Sequence, residues 1–250
     1  TIKMTGSGSG AYIISGGIGL DELTGGSGDD VITGGELNDN IDGGDGGDLI
    51  DGGLGDDQLI GGNGNDTFFV SSGTDGITDL TTGDVLIVSA DATANGTNIS
   101  NFIATVSTAN AGTATLRAIV NGSTINMTNS QSGAYNLIGN NGVDNLTGGV
   151  GDDAIDGGLG NDVLNGGNGV DIIDGSLGDD LLTGGNGNDT FIITSGSDIV
   201  NDLVSGDAFV VSENAVLNGL YVDHFIATDK TKNFGTVRLE GGYTNTTINM

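Results

Sequence analysis

The 250-residue sequence contains no cysteine, no proline and no tryptophan, and it has only five lysine or arginine residues. Without cysteine, disulfide bonds cannot stabilise the fold. With a formal net charge of −29, the chain is unsuited to nucleic acid or an anionic membrane unless a cation bridges the two. No apolar run approaches the ~18 residues that a membrane-spanning helix needs. With four tyrosines and seven phenylalanines, the core must be thin and largely aliphatic, so another source of stability is needed.

Residues for catalysis are equally scarce. His224 is the single histidine, and a surface position is expected for it. Neither H-E-x-x-H nor G-x-S-x-G occurs, and the glycine-rich runs lack the Lys-Ser/Thr of a phosphate-binding loop. No catalytic residues and no small-molecule substrate are therefore predicted.

Glycine is abundant, with 50 residues, and most of it follows a nine-residue period: Gly, Gly, any, Gly, any, Asp, any, apolar, any. Six copies start at Gly16, Gly25, Gly34, Gly43, Gly52 and Gly61, and six more at Gly139, Gly148, Gly157, Gly166, Gly175 and Gly184. Position six is always aspartate: Asp21, Asp30, Asp39, Asp48, Asp57, Asp66, Asp144, Asp153, Asp162, Asp171, Asp180 and Asp189. Position eight is always apolar. A solvated acidic surface would not keep such a register, so the period predicts a repeating structural unit.

The unit predicts a tight glycine turn followed by a very short strand. Because side chains alternate along a strand, position eight points inward, as in Leu23, Ile32, Ile41, Ile50, Leu59 and Phe68. Two units make one coil of about eighteen residues, and coils stack at the ~4.8 Å spacing of a parallel sheet. The fold class predicted is all-β, with two tandem parallel β-rolls.

Stacking places the aspartates in columns along each edge of the roll. Unit charges ~4–5 Å apart repel by about 1 kcal/mol in water and by more when partly shielded. A cation must lie between them, and carboxylates with turn carbonyls form an all-oxygen shell. Such a shell favours calcium over magnesium. Bound metal would then supply the stability that the thin core lacks, and folding would depend on calcium.

At this level of detail the chain resembles the RTX family, whose nonapeptide GGxGxDxUx forms a calcium-loaded parallel β-roll. The resemblance implies that one turn contributes the carbonyls of positions two and four with its aspartate, and the next turn those of positions one and three with its own. The carbonyl ligands implied in the first roll are Gly17, Gly19, Gly26, Gly28, Gly34, Gly35, Glu36, Leu37, Gly43, Gly44, Asp45, Gly46, Gly52, Leu54, Gly61 and Asn63. Those implied in the second are Asn140, Gly142, Gly149, Gly151, Gly157, Gly158, Leu159, Gly160, Gly166, Gly167, Asn168, Gly169, Gly175, Leu177, Gly184 and Asn186.

Three residues depart from the family pattern. Leu37 replaces a position-four glycine, and Asn140 and Ser176 replace position-two glycines. Carbonyl ligation survives such changes, and asparagine tolerates left-handed φ, so strained or weaker sites are expected there rather than lost ones.

A tandem duplication with an offset of 123 residues sets the larger organisation. Thr1–Met4 returns as Thr124–Met127 and again as Thr247–Met250 with one change, Lys3 to asparagine. We expect a cap over residues 1–15, a first roll over 16–87, a β spacer over 88–129, a second roll with its cap over 130–210, and a spacer with the start of a third unit over 211–250. A hairpin turn is predicted at Asn121-Gly122.

The period continues past the last glycine-rich unit of each block. Asp75 and Asp84, and likewise Asp198 and Asp207, stay in the aspartate register, so they are predicted as second-tier metal ligands. Outward, solvated side chains are expected for the acids at position five (Asp29, Asp56, Asp152 and Asp179) and at position nine (Asp42, Asp51, Asp156 and Asp174). Apolar residues at the outward position seven leave open a lateral interface or simple β-propensity.

Two classes of function remain. The first is a calcium-rigidified structural repeat of an exported bacterial surface protein, which binds copies of itself laterally or end to end as a filament, tube, surface layer or biofilm component. The second is an adhesin module that binds a surface or ligand; a secretion-associated roll of an exported enzyme is a further alternative. The resemblance implies type I secretion and an extracellular or cell-surface location. Because repetition builds length and adds nothing to a single active site, the structural interpretation is favoured.

Overall fold

A computed structural model of the chain describes residues 1–6, 10–119 and 122–241. The strands are β1 (Ile2–Lys3), β2 (Ile13–Ile18), β3 (Glu22–Ser27), β4 (Val31–Glu36), β5 (Asn40–Asp45), β6 (Leu49–Leu54), β7 (Gln58–Asn63), β8 (Thr67–Val70), β9 (Thr74–Ile77), β10 (Val85–Val88), β11 (Thr93–Ile99), β12 (Asn101–Ile103), β13 (Ala109–Asn110) and β14 (Thr113–Ala118). They continue with β15 (Thr124–Asn126), β16 (Tyr135–Ile138), β17 (Asn145–Val150), β18 (Ala154–Asp156), β19 (Val163–Asn168), β20 (Ile172–Asp174), β21 (Leu181–Asn186), β22 (Thr190–Ile193), β23 (Ser197–Val200), β24 (Ala208–Val211), β25 (Val216–Val222), β26 (Lys232–Asn233) and β27 (Thr236–Gly241). These residues contain no helix, and so none that could cross a membrane.

The chain divides into two compact units. Unit 1 comprises Thr1–Arg117 with Asn129–Gly133, and unit 2 comprises Ala118–Thr128 with Ala134–Met250. The limits of caps, rolls and spacers given above remain predictions. The repeat of Thr1–Met4 at residues 247–250 lies outside the described residues, as do Val120 and Asn121 of the predicted hairpin and residues 7–9 of the predicted cap.

Within unit 1, alternate strands form two parallel sheets. One has the order β1-β3-β5-β7-β9-β11-β14 and the other β2-β4-β6-β8-β10-β13. Every second strand pairs because each nonapeptide crosses to the opposite side of the coil, as Ile14 pairing with Ile32 shows. Unit 2 follows the same rule, with sheets β16-β18-β20-β22-β24-β26 and β15-β17-β19-β21-β23-β25-β27. The predicted all-β parallel roll is confirmed in each unit.

The core of each coil is the column of position-eight side chains between the two sheets. Ile32, Ile50 and Phe68 are fully buried and lie in register along β4, β6 and β8. Leu23, Ile41 and Leu59 form the matching column of the other sheet. Because one side chain per nonapeptide fills the interior, the apolar core is as thin as the composition predicts.

The roll continues into the predicted spacers. Thr93 of β11 pairs with Thr74, and Ala109 of β13 pairs with Ile87, both in parallel. The sheets therefore continue beyond the glycine-rich repeats, and the number of residues along the chain between paired positions increases there. Ile125 of β15 pairs in parallel with Leu146 of the next strand in its sheet, whereas a hairpin would have paired antiparallel strands. The sequence cannot show this, because longer coils lose the nine-residue signature.

Candidate metal centres

The position-six aspartates form hydrogen-bonded ladders along both edges of each unit. The backbone N–H of Asp30 donates to Oδ1 of Asp48 at 2.7 Å, and that of Asp48 donates to Oδ1 of Asp66 at 2.8 Å. The same bond, always across eighteen residues, joins Asp21 to Asp39, Asp39 to Asp57, Asp57 to Asp75, Asp66 to Asp84, Asp144 to Asp162, Asp162 to Asp180, Asp180 to Asp198, Asp153 to Asp171, Asp171 to Asp189 and Asp189 to Asp207. Each carboxylate is thus held in one orientation by the preceding coil.

The first rung of a ladder needs no aspartate. Tyr12 occupies the aspartate register, and its N–H donates to Oδ1 of Asp30 at 2.7 Å. Tyr135 does the same for Asp153, and Ser123 for Asp144. Only the backbone donor is required at this rung, which is why the interrupted nonapeptide before Gly16 still joins the roll through β2.

The second oxygen of most of these carboxylates is buried and has no hydrogen-bond partner in the protein. This holds for Oδ2 of Asp30, Asp39, Asp48, Asp57, Asp75, Asp153, Asp162, Asp171, Asp180 and Asp198. An ionised oxygen removed from water without a partner costs several kcal/mol. Two columns of such oxygens in each unit therefore call for a cation.

A second group of oxygens converges on the same points. A β-carbon built on Gly16 would lie 2.6 Å from Oδ2 of Asp21 and 2.5 Å from the carbonyl oxygen of Gly34. Gly157 has the same surroundings, with Oδ2 of Asp162 at 2.5 Å and the carbonyl oxygen of Gly175 at 2.9 Å. Glycine at position one leaves this space open, and any side chain would fill it. Oδ2 of Asp66 and of Asp189 likewise lies against its own position-one glycine.

The pKa values of these aspartates also favour a cation site. Burial raises the pKa of Asp75 and of Asp198 to about 7 and that of Asp153 to about 8, and repulsion from neighbouring aspartates adds to the rise. For Asp66, Asp162, Asp171 and Asp207 the same causes raise the pKa to about 6. Ionised carboxylates are thus disfavoured here unless a cation compensates them.

The donor set suits calcium. A buried carboxylate oxygen and a carbonyl oxygen of the next coil are hard, uncrowded ligands, as a flexible all-oxygen shell requires. No group of three or more His, Cys, Asp or Glu side chains that could hold a metal occurs among the described residues. Backbone carbonyls are the other hard oxygen ligands that the turns supply. When bound, calcium would neutralise the columns. The position-three carbonyls of Glu36, Asp45 and Asn63 accept an N–H from the preceding coil, and each keeps a second lone pair.

Three predicted ligands differ from the others because their Oδ2 is already bonded. Asp84 Oδ2 accepts the N–H and the hydroxyl of Thr81, at 2.7 and 3.1 Å. Asp207 Oδ2 accepts the N–H of Val204 at 2.8 Å. Asp144 Oδ2 accepts the N–H of Asn140 at 2.9 Å. These oxygens are less available to a metal than those of Asp75 and Asp198.

The departures from the repeat pattern have distinct local effects. Leu37 and Ser176 have positive φ angles of 71° and 66°, which side chains rarely adopt, so the backbone is strained at both positions. That the metal sites there are weaker stays a prediction. Asn140 does not have a positive φ, although an asparagine side chain would tolerate one. Its backbone N–H instead donates to Oδ2 of Asp144.

The acids at position five have a role that sequence reasoning missed. Asp29 and Asp152 are exposed, yet each accepts the backbone N–H of the position-five residue of the next coil, Gly47 and Val170, at 2.8 Å. Asp56 and Asp179 do the same, so the expectation of simply solvated side chains is corrected. At position nine, Asp51 accepts the N–H of Gly53 and the hydroxyl of Ser71.

Two further carboxylates, unpredicted by the sequence argument, close the end of each glycine-rich block. Asp79 accepts the N–H groups of Gly61 and Gly62 at 3.0 and 2.6 Å. Asp202 accepts those of Gly184 and Gly185 at 3.0 and 2.7 Å. Both lie eighteen residues after a position-one glycine, and this signal could have revealed them.

A comparison with known protein families identifies the nonapeptide repeat. A family model described as the RTX calcium-binding nonapeptide repeat (four copies) matches residues 7–41, 42–77, 138–173 and 165–200, which is more than half of the chain. The chain belongs to the RTX calcium-binding nonapeptide repeat family. This RTX protein therefore has a calcium-binding β-roll, a structural and binding fold, and proteins with such repeats are typically secreted by bacteria. No curated protein matches the chain. Which residues hold each ion remains the prediction given above.

Proposed function

We propose that this RTX protein is a non-enzymatic, calcium-dependent structural repeat of an exported bacterial surface protein, exported by type I secretion, and that it self-assembles outside the cell. Calcium at extracellular concentrations would order the rolls, and assembly would place them in a filament, tube or surface layer. The observation that carries the proposal is the whole-unit duplication: ladders, terminal carboxylates and β-rich extension all recur at an offset of 123 residues, as Asp79 and Asp202 do.

A duplicated scaffold suits a protein that must be long and mechanically strong better than it suits one that recognises a ligand. A binding module needs one good site, whereas each unit here repeats the same ladders and no catalytic cluster is predicted. A groove beside Asp21 and Asp39 is lined mainly by polar side chains.

The test is electron microscopy of the purified chain in millimolar calcium and in excess chelator, with far-ultraviolet circular dichroism on the same samples. Ordered fibres, tubes or sheets that form only in calcium are expected. Folded, dispersed monomers at high protein concentration in calcium would contradict the proposal and favour an adhesin module.

A further inference from the structure

Asparagine-glycine pairs occupy positions three and four of four glycine-rich turns: Asn63-Gly64, Asn141-Gly142, Asn168-Gly169 and Asn186-Gly187. All four asparagines are exposed. In such a pair the backbone nitrogen of the glycine can attack the side-chain Cγ of the asparagine, because glycine has no side chain to hinder the approach. This attack begins spontaneous deamidation, so its rate in the folded protein depends on how each glycine nitrogen is held.

The glycine nitrogen is hydrogen-bonded in two of the four pairs. Gly142 donates its N–H to the carbonyl oxygen of Leu159 at 2.7 Å, and Gly169 donates its N–H to the carbonyl oxygen of Asn186 at 2.9 Å. Both bonds join a turn to the next coil. A nitrogen that is held in this way must leave its acceptor before it can lose its proton and attack a side chain.

The glycine nitrogen has no such bond in the other two pairs. Among the residues that the structure describes, no hydrogen-bond acceptor lies opposite the N–H of Gly64 or that of Gly187. Both glycines belong to the last glycine-rich turn of a block, where Asp79 or Asp202 of the next coil binds the first two amides of the turn. Backbone conformation does not explain the difference, since Gly64, Gly187 and Gly169 have similar φ angles of 149°, 152° and 142°.

We propose that Asn63-Gly64 and Asn186-Gly187, in the last glycine-rich turn of each block, are sites of spontaneous deamidation. The nitrogen of Gly64 loses its proton to water and forms a bond to Cγ of Asn63. The bond between Cγ and Nδ2 then breaks, and the amide nitrogen takes a proton from solvent and leaves as ammonia. Water opens the resulting succinimide to aspartate or isoaspartate, so water is the only co-reactant. The inference goes beyond the proposed function and does not depend on assembly.

The contacts of the two side chains determine what aspartate would change. Nδ2 of Asn63 donates to Oδ1 of Asp45 at 2.7 Å, and Nδ2 of Asn186 donates to Oδ1 of Asn168 at 2.8 Å. In unit 1 the reaction replaces this donor by a carboxylate that faces Asp45, so the two repel. In unit 2 the amide group of Asn168 can turn its own nitrogen toward the new carboxylate. The larger effect is therefore expected in unit 1.

Isoaspartate would change the turn itself. In this product the main chain runs through Cβ and Cγ of the former asparagine, so the position-three carbonyl is displaced. The carbonyl oxygens of Asn63 and Asn186 accept the N–H groups of Gly46 and Gly169 at 2.8 and 2.9 Å, and both are predicted calcium ligands. Deamidation is therefore expected to weaken calcium binding at the end of each block as the protein ages.

The experiment incubates the full chain at mildly alkaline pH, folded in millimolar calcium and unfolded in urea with chelator. Peptide mapping by mass spectrometry follows each pair, and the unfolded sample corrects for the local sequence. Relative to its rate in urea, deamidation in calcium is expected to be about fivefold faster at Asn63 and Asn186 than at Asn141 and Asn168, as the absence of one hydrogen bond predicts. Equal protection of all four pairs, or faster reaction at Asn141 and Asn168, would overturn the inference.

The double variant Asn63→Ser with Asn186→Ser is the matched control, because serine already occupies position three at Ser27. Ammonia release from the folded variant is expected to be less than half that of the wild type, and unchanged release would place the reaction at other residues. Calcium titration compares fresh and aged samples of both chains. A loss of affinity on ageing is expected in the wild type alone, and equal affinities in fresh and aged wild type would overturn the effect on the metal site.

Discussion

Each ladder aspartate uses its two oxygens differently. In Asp48, Oδ1 accepts the N–H of Asp30 at 2.7 Å, while Oδ2 is buried without a partner. An amide side chain keeps the first interaction through its own Oδ1 but places an NH₂ group, which cannot ligate a cation, where Oδ2 was. Asparagine therefore separates the structural from the metal-binding contribution of this residue.

For Asp48→Asn we expect the calcium-dependent part of the unfolding free energy to fall by about 1–3 kcal/mol, with little change in chelator. Isothermal titration of calcium and urea unfolding measure the two quantities. Asp45→Asn is the control, since Asp45 is an exposed position-three side chain. Equal calcium stoichiometry and affinity in both variants would contradict the assignment of Oδ2.

Glycine at position one is needed for space and not for φ. A β-carbon at Gly34 would overlap both Oδ2 of Asp39 and the carbonyl oxygen of Gly52. We expect Gly34→Ala to lose calcium at that point and to destabilise the calcium form by about 1–3 kcal/mol through overpacking.

Gly47→Ala is the matched control, because the nearest atom there, the carbonyl oxygen of Asn65, would be 3.2 Å away. Calcium titration and thermal unfolding distinguish the two alanines. If both variants bind calcium as the wild type does, the space beside Gly34 is not a cation position.

At the scale of elements, each glycine-rich block ends on a carboxylate that needs no metal. Both oxygens of Asp79 are bonded to amide groups of the preceding coil. Asp79→Ala would leave the N–H of the buried Gly61 unpaired, which costs about 1–3 kcal/mol, whereas the N–H of the exposed Gly62 would bind water. The loss should be similar with and without calcium, as urea unfolding in both conditions will measure.

Asp202→Ala provides a replicate in unit 2, and Asp91→Ala, at an exposed position, provides the control. A loss of stability confined to calcium-loaded samples would show that Asp79 acts as a metal ligand and not as an end clamp.

The sequence predicts the regular part of these elements well and the ends poorly. Position eight identifies buried residues such as Ile32 and Leu59, because one inward side chain per nonapeptide is a geometric necessity. It does not predict that the N–H groups of Thr81 and Asn140 donate to Oδ2 of Asp84 and Asp144, because these bonds depend on the local path of the backbone. Nor does it predict the outer ladder through Asp29, because an exposed carboxylate carries no burial signal.

At the scale of the whole molecule, the stability of the fold is expected to fall with rising pH in chelator and to increase with rising pH in calcium. Some aspartates have a raised pKa in the folded chain, such as Asp75 at about 7 and Asp153 at about 8. In chelator, these residues lose their protons at a lower pH in the unfolded chain than in the folded chain. The folded form is therefore most stable below pH ~4, and it loses stability as pH rises to about 8. In calcium, protons compete with the ion, so stability should increase over the same range.

Urea midpoints at pH 5 and pH 8, each with calcium and with chelator, test this reversal. The expected order is a higher midpoint at pH 5 in chelator and at pH 8 in calcium. The same sign of pH dependence in both conditions would mean that the columns do not exchange protons for metal.

Ladder partners such as Asp30 and Asp48 are always eighteen residues apart along the chain. This constant separation also affects how fast the protein folds. Folding rates fall as the average chain separation of contacts rises, and β proteins are usually slow for that reason. Here the separation is short and does not increase as units are added, because every coil closes onto its immediate predecessor. A longer array would then reach its native state about as quickly as a short one, coil after coil, with no late search for a distant strand.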